Sequence, residues 1–320
     1  MSMIDIVAIT DRGFVMPTGV MMYSVCVNNR DVDIVFHVIA DETVTQKDRD
    51  RLSETVTSTD ARKQVKFYEI ESQICKSFPN AERGVPLSTY YRLFITEKLP
   101  QNISKVLFLD GDIVVRHSLL PLWETDVRDY AIAAVTDYQE GIPERYDRLK
   151  YDPCYGYFNA GVLLINLDYW RANHVLQRFN DYITTCYKDI CTYDQDVLNV
   201  IFKDRKVVLP FKFNLQSGVL YKQIGFDYKK YKDEVDEAIK NPVIVHFTSR
   251  KPWDTPADKH PFSSTFFKYQ SQTIWKGQRT PDKRTAIRRL RGLIGNVLRT
   301  MGILPPVQSA FDYIEIAPID

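Results

Sequence analysis

KVLFLDGDIVV, running from Lys105 to Val115, sets two carboxylates two residues apart between unbroken apolar runs. Val106 to Leu109 reads as a short strand buried on both faces, because the run is apolar at every position. Asp110 and Asp112 then close it. Carboxylates this close repel, so they are held apart, exposed to water, or tied to a cation. Asp and Gly are also turn residues, so a plain strand-to-turn junction accounts for Asp110-Gly111-Asp112 equally well. Under the other reading the pair offers hard oxygen ligands suited to Mg²⁺ or Mn²⁺. Both readings are open at this point.

Outward from this stretch, the same kind of run recurs. Ile4 to Ile9, Asp33 to Asp41 and Tyr130 to Asp137 read as buried strands, and Val65 to Ile70 as a further strand. Between them lie helical segments, from about Pro17 to Asn28 and over Thr45 to Val56, and Ser88 to Leu99 reads as a capped helix. Near-continuous apolar strands alternating with helices predict an α/β fold, its mostly parallel sheet covered by helices on both faces. Ligands bind such sheets outside the carboxyl ends of the strands. Asp11, Asp41, Asp110 and Asp137 all fall there.

Composition narrows the class. The 320 residues are 44% hydrophobic and 26% charged, ordinary globular material. The first residues lack the basic and apolar regions of a signal peptide, and no run approaches the eighteen or so apolar residues of a membrane span. Five cysteines without metal-like spacing predict reduced thiols in a cytoplasmic protein. The net charge of +1 is unevenly spread: Lys276 to Met301 carries eight Lys or Arg and one acid, a sum of +7, so the rest sums to −6. There Thr280-Pro281 reads as a helix start. Ile287, Leu290, Ile294, Val297, Leu298 and Met301 follow at helical spacing, with Arg284, Arg288, Arg291 and Arg299 mainly on other faces. The division expected is a catalytic body, 1–265, and an extension, 266–320, holding a basic amphipathic helix. Such a helix either docks on its own protein or lies on an anionic membrane surface. Nucleic acid is not expected as a partner, because the body is acidic and carries no nucleic-acid motif.

Three further segments bear on the open question. YGYFNAGVLLINLDYWR, Tyr155 to Arg171, opens a long apolar strand with Asn159-Ala160-Gly161. YDQDVLNVIF, Tyr193 to Phe202, places Asp194, Gln195 and Asp196 at a helix start, where at least one acid is accounted for by the helix dipole alone. VIVHFTSRKPW, Val243 to Trp253, ends a strand at His246 with Lys251 five residues on; a lone histidine at a strand end is more often structural than a ligand.

Taken in order (a strand ending Thr10-Asp11, STYYRL, FLDGDIVV, YFNAGVLLINL, YDQDVLN and HFTSRKPW) these segments resemble glycosyltransferase family 8, which contains bacterial lipooligosaccharide α-galactosyltransferases, lipopolysaccharide glucosyl- and galactosyltransferases, and glycogenin. The resemblance covers roughly Ile4 to Trp253 and implies the GT-A fold, a UDP-hexose donor (galactose or glucose) and retaining transfer. It implies that Asp110, Asp112 and His246 bind a metal, with Mn²⁺ favoured over Mg²⁺ by the imidazole. It places Ile9 and Asp11 on uracil and ribose, and Phe14 on the base. Gly111, Arg92, Asn159, Ala160, Gly161 and Asp194 fall on the donor, and Lys251 on its diphosphate. Gly13 and Ser249 depart from the family pattern, at a base contact and in the diphosphate loop. Gln195, an amide where a nucleophile is sought, implies front-face attack with Gln195 and Asp194 as the catalytic pair. The acceptor implied is lipopolysaccharide or another surface glycan, met at the cytoplasmic face of the membrane, where the basic helix would attach peripherally. The acceptor loops are expected in 138–155 and 213–231.

Three other functions are weighed. An aspartyl phosphatase fits poorly, because Ile113-Val114 follows the pair at mid-chain. A non-catalytic sugar-nucleotide-binding protein would be favoured by missing metal ligands. A self-glucosylating primer of the glycogenin type stays open, since nineteen tyrosines supply candidate acceptors.

Overall fold

The structure, a computed structural model, describes residues 3–79, 86–223, 225–248, 251–254, 260–278, 294, 297, 298 and 300–302. Among the described residues ten strands form two sheets: β1 (Met3–Thr10), β2 (Asp33–Ala40), β3 (Lys63–Glu69), β4 (Lys105–Leu109), β5 (Ile113–Val115), β6 (Ile132–Thr136), β7 (Phe158–Asn166), β8 (Lys206–Leu209), β9 (Leu215–Gln216) and β10 (Ile244–His246). The larger sheet runs β3-β2-β1-β4-β7-β6-β8. Only β7 is antiparallel to its neighbours in it. The smaller sheet runs β5-β10-β9.

Apolar runs without alternation are explained by two cores, one on each face of the large sheet. Successive side chains of a strand point to opposite faces. In β1, Ile4, Ile6 and Ala8 enter one core and Val7 the other; in β4, Leu107 and Leu109 oppose Val106 and Phe108. The first core is closed by α1 (Val15–Val27), α2 (Gln46–Thr57) and the small sheet. The second is closed by α3 (Val175–Thr185) and α4 (Tyr193–Phe202). The fold is thus the mixed, mostly parallel α/β sheet with helices on both faces that the sequence predicts. α2 begins with a capping box, Thr45 and Asp48 each satisfying the other's backbone N–H.

One expectation is corrected. Ser88 to Leu99 is not a capped α-helix: Leu87–Phe94 is 3₁₀, followed by one α-turn, Ile95–Lys98, and no side chain caps either. The reason lies in where the hydroxyls go. A 3₁₀ turn eclipses residues three apart, which aligns Ser88 with Tyr91 and Thr89 with Arg92. Ser88 donates to Asp11 (2.9 Å) and Tyr91 to Asp41 (3.2 Å), while Thr89 donates to Asp194 (2.6 Å) and Arg92 pairs with it. Carboxylates outside the segment, Asp11 and Asp41 past strand ends and Asp194 at a helix start, take these polar groups instead.

The Asp110-Gly111-Asp112 turn carries the chain from one sheet to the other. Asp110 N–H still bonds β7 at Gly161 O (2.9 Å), and Asp112 O already accepts from Phe247, just past β10 (3.0 Å). A Cβ on Gly111 would lie 2.6 Å from Thr18 Oγ1, so α1 packs too close for any side chain there. α5 (Lys232–Lys240) packs on the 3₁₀ turn Phe211–Phe213 that precedes β9, and α6 (Ser263–Gln270) packs on α1. Trp275 continues that contact, its ring so near Gly19 that a Cβ would fall 2.1 Å from it. All five cysteines are free. The expected basic helix lies largely outside the described residues. Ile294, Val297, Leu298 and Thr300 are helical, and Ile294, Val297 and Met301 are exposed. Among the described residues no helix is long and apolar enough to cross a membrane.

Candidate functional site

Strand ends of both sheets meet at Asp110 and Asp112. β10 ends at His246, and the ligand atoms of Asp110, Asp112 and His246 lie within 4.8 Å of one another, the one such cluster among the described residues. His246 Nε2 is 3.2 Å from Asp112 Oδ1 and 3.7 Å from Asp110 Oδ2. The Lys251 ammonium also bonds Asp112, and Phe247 O. Burial pushes the Asp112 carboxyl up, yet the group is held well below the carboxylate range, the Lys251 ammonium being the largest opposing charge. The donor set fits a divalent cation: two hard carboxylates and one imidazole, converging and mostly buried. Gly161 makes the convergence possible, because a Cβ there would sit 2.2 Å from His246 Cε1 and 2.7 Å from Asp110 Oδ2.

Arg92 is buried behind this cluster. Its Nη2 donates to Asp110 Oδ1 at 2.8 Å and its Nη1 to Ala160 O, and the guanidinium lies over Phe108 at 4.3 Å. Nε faces Asp194 Oδ2 at 2.9 Å, while its hydrogen goes to Thr89 O at 3.2 Å. Asp194 Oδ2 is therefore paired by charge but, among the described residues, accepts no hydrogen bond. Burial lifts the Asp194 carboxyl to about 6 from an ordinary 3.8, against the opposing pull of Arg92.

The next two residues of the α4 start do different work. Asp196, not Asp194, anchors the helix start. It accepts from the N–H groups of Cys191 (2.7 Å) and Thr192 (2.8 Å) and from Tyr157 (2.7 Å), and pairs with Arg148 (2.8 Å). Gln195 Oε1 accepts from Ala160 N–H (3.0 Å) and Asn159 (3.2 Å), and its Nε2 donates to Asp137 Oδ2 (3.2 Å).

Two cavities share a wall made by Thr89, Arg92, Asp110 and Thr248. The larger, about 450 Å³, runs from Asp110, Asp112 and Lys251 to Ile9, Asp11 and Phe14. Phe14 is propped edge-on against Trp253 (6.3 Å), and Asp11 is held by Gly13 N–H (2.8 Å) and Ser88. The smaller, about 220 Å³, holds Asn159, Ala160, Asp194 and Gln195. Gly111 faces the first cavity, whereas Gly161 lines neither and acts through its backbone. Ser249 lies outside the described residues. Sequence reasoning missed two residues here. Asp137, buried beside Gln195, had only its strand-end position as a signal. Asn214, bonded to His246 Nδ1 at 2.9 Å, had none.

Residues 5–257 match the family described as "Glycosyl transferase family 8". Among curated relatives, General stress protein A of Bacillus subtilis is 26% identical over 84% of this chain and 94% of its own length. Lipopolysaccharide glucosyltransferase WaaO of Escherichia coli is 26% identical over 85% and 79%. Lipopolysaccharide 1,3-galactosyltransferase of Salmonella typhimurium is 27% identical over 83% and 77%. Among solved structures, galactosyltransferase LgtC in complex with donor and acceptor sugar analogues superposes with a TM-score of 0.76 at 26% identity, over 90% of this chain and 99% of that one.

Gly161→Ala tests the convergence of the three ligands. The added methyl displaces His246 or Asp110, so calorimetry should show affinity for Mn²⁺ or Mg²⁺ falling at least about tenfold. Unchanged affinity would place the cation elsewhere.

Proposed function

Because the chain belongs to glycosyl transferase family 8, we propose that it moves a hexose from UDP-galactose or UDP-glucose to a saccharide acceptor, retaining the donor's α-configuration. The observation that carries this reading is one continuous cavity with Asp110, Asp112 and Lys251 at one end and Asp11 and Phe14 at the other. An aromatic face for a base, a carboxylate for a ribose and a cation-holding cluster for a diphosphate are spaced along it. Asp110, Asp112 and His246 would hold Mn²⁺, with Mg²⁺ as the alternative. The bound ion would neutralise charge on the departing UDP.

The protein's own groups do the rest. Lys251 stands beside Asp112, placed to hold the diphosphate. Ile9 and Asp11 take the uracil and ribose, Phe14 stacks on the base, and Gly111 lets the chain approach the donor. Asp194 Oδ2, buried and lacking a hydrogen-bond donor, suits a sugar hydroxyl. Arg92 fixes Asp194 and shares the donor site with Asn159, Ala160 and Gly161. Gln195 lines the smaller cavity as a neutral amide, able to stabilise an oxocarbenium-like sugar while the acceptor enters on the face that UDP leaves. The acceptor reading, lipopolysaccharide or another surface glycan, is supported by the names of the Escherichia coli and Salmonella relatives. Segments 138–155 and 213–231 are proposed to bind it. They meet beside the smaller cavity, where Tyr138 packs on Gly218 and Gly141 N–H bonds Gly225 O at 2.8 Å.

The extension is proposed to attach the enzyme to the inner face of the membrane. The exposed Ile294, Val297 and Met301 support this, being spaced three and four residues apart near a run of arginines. Because Trp275 packs on α1, the membrane-attaching part of the extension is proposed to lie after it.

Release of UDP from a panel of UDP-sugars should be stimulated by Mn²⁺ for one hexose and lost in Asp112→Asn. NMR of the product should show an α-linkage. A β-linkage overturns retention, and mass added to the protein itself points to a self-glucosylating primer.

Ionised, the Asp194 carboxylate pairs with Arg92 and is a strong acceptor for a hydroxyl; protonation weakens both, and its pKa is pushed up to about 6. Accordingly kcat/KM should fall as pH drops through about 6, about tenfold per unit below it. A profile flat to about pH 5 would remove Asp194 from this role.

Full-length protein should float with vesicles containing anionic lipid, and protein truncated before Asp282 should not. Equal flotation of both would end the anchor reading.

A further inference from the structure

Two nitrogens of the His246 ring face different partners. Nε2 looks toward Asp112 and Asp110, and Nδ1 toward Asn214 Oδ1 at 2.9 Å. Which nitrogen carries the hydrogen decides whether a lone pair or an N–H is offered to a cation. The choice can be traced to a backbone amide. Gly161 N–H can only donate, and it meets Asn159 Oδ1 at 3.0 Å, so that atom is the carbonyl oxygen. Flipping Asn159 would set two donors against each other. Asn214 Nδ2 then donates to the same oxygen at 2.9 Å, which leaves the Asn214 carbonyl facing the ring. A carbonyl accepts, so the hydrogen belongs on Nδ1 and the lone pair of Nε2 is turned to the carboxylates. Asn214 is fully buried, so water does not compete for these bonds.

The same oxygen ties the ring to the smaller cavity. With Oδ1 of Asn159 engaged, its Nδ2 donates to Asp137 Oδ2 (3.0 Å) and Gln195 Oε1 (3.2 Å). Gln195 is oriented independently by Ala160 N–H at 3.0 Å. One run of backbone, Asn159 to Gly161, thus sets the tautomer of the imidazole and the rotamer of the amide together.

We propose that Asn214 is a positioning residue: it fixes His246 as an Nε2 metal ligand and, through Asn159, couples that ligand to the Gln195 amide. The metal half rests on the function proposed above. Asn214 lines neither cavity, so its effect passes through its two partners. A histidine ligand oriented by a partner on its other nitrogen is a general feature of metal sites, and losing the partner weakens binding 10- to 100-fold.

The test uses the whole chain labelled with ¹⁵N-histidine, metal-free, at an alkaline pH at which the ¹⁵N spectrum itself shows each ring in its neutral form. Two-bond ¹⁵N–¹H correlations report the tautomer of each of the five histidines, and His246→Gln identifies the signal. His260 is an internal control of opposite sense, because Phe262 N–H donates to its Nδ1 at 3.2 Å and its Nε2 faces Ser217 Oγ. Wild-type His246 should show the Nδ1–H form and His260 the Nε2–H form. In Asn214→Leu the His246 signal should shift toward Nε2–H with His260 unmoved, and Mn²⁺ affinity, read from the EPR signal of free Mn²⁺, should fall 10- to 100-fold. Asn214→Asp keeps an acceptor for Nδ1 and should restore the tautomer. An Nε2–H form in the wild type overturns the proposal even if Asn214→Leu fails to fold, as does unchanged Mn²⁺ affinity in a folded Asn214→Leu. An Nδ1–H form in a wild type that binds no Mn²⁺ supports the orienting role and overturns the metal reading instead.

Discussion

A buried guanidinium holds two carboxylates that would otherwise repel, and the rest of the site is built around it. Arg92 spans Asp110 at the end of β4 and Asp194 at the start of α4, with Phe108 beneath it. A buried carboxylate left without its cation costs about 3–5 kcal/mol, a large fraction of a domain's whole stability of about 5–15 kcal/mol. Lysine could not replace it. A planar fork addresses two acids and the Ala160 carbonyl in fixed directions, whereas an ammonium on a flexible stem is a single point charge. Three parts of the fold distant in sequence are thereby set at fixed positions: the 3₁₀ segment, the strand end and the helix start.

Close approach is the second constraint. The Asp110–Asp112 turn leaves the large sheet and enters the small one against α1, and β7 passes directly behind His246. At both crossings only a hydrogen fits, at Gly111 against Thr18 and at Gly161 against His246 and Asp110. Convergence of three ligands within 4.8 Å is therefore a property of two sheets pressed together by two cores. It does not come from the Asp-Gly-Asp turn alone, which is why the turn by itself left two readings open.

What was legible in the sequence follows from range. β1, β2, β4, β6 and β7 announce themselves because strands buried on both faces must be apolar at successive positions, and the strand-end aspartates follow from them. Thr45 and Asp48 mark a helix start because both halves of the capping box are local. The Ser88–Leu99 segment misleads for the opposite reason: its pattern is helical, but Asp11, Asp41 and Asp194, distant in sequence, claim its polar groups. Asp137 shows only as one more strand end. Asn214 leaves no trace, since a single amide in FKFNL says nothing of an imidazole thirty-two residues on. The motif order carried the candidate metal trio, Arg92 and Gln195 into one neighbourhood because a resemblance transmits tertiary information that spacing does not.

Three consecutive side chains at the α4 start show how tightly the site is specified. Tyr193 takes a left-handed backbone, φ 52°, uncommon for a residue with a side chain. The helix then fans Asp194, Gln195 and Asp196 toward Arg92, Asp137 and the preceding loop. Asp196 holds the strained turn with bonds from two backbone N–H groups, Tyr157 and Arg148. The middle position accepts an amide and resists an acid. Nε2 of Gln195 donates to Asp137 Oδ2 at 3.2 Å, so a glutamate there would bring carboxylate against carboxylate in a buried site. Its other oxygen would still accept from Ala160, so the backbone offers no escape from that repulsion. A neutral group whose oxygen is already held by two donors is a poor nucleophile and a rigid dipole. The front-face transfer proposed above would ask no more than that of the residue lining the smaller cavity.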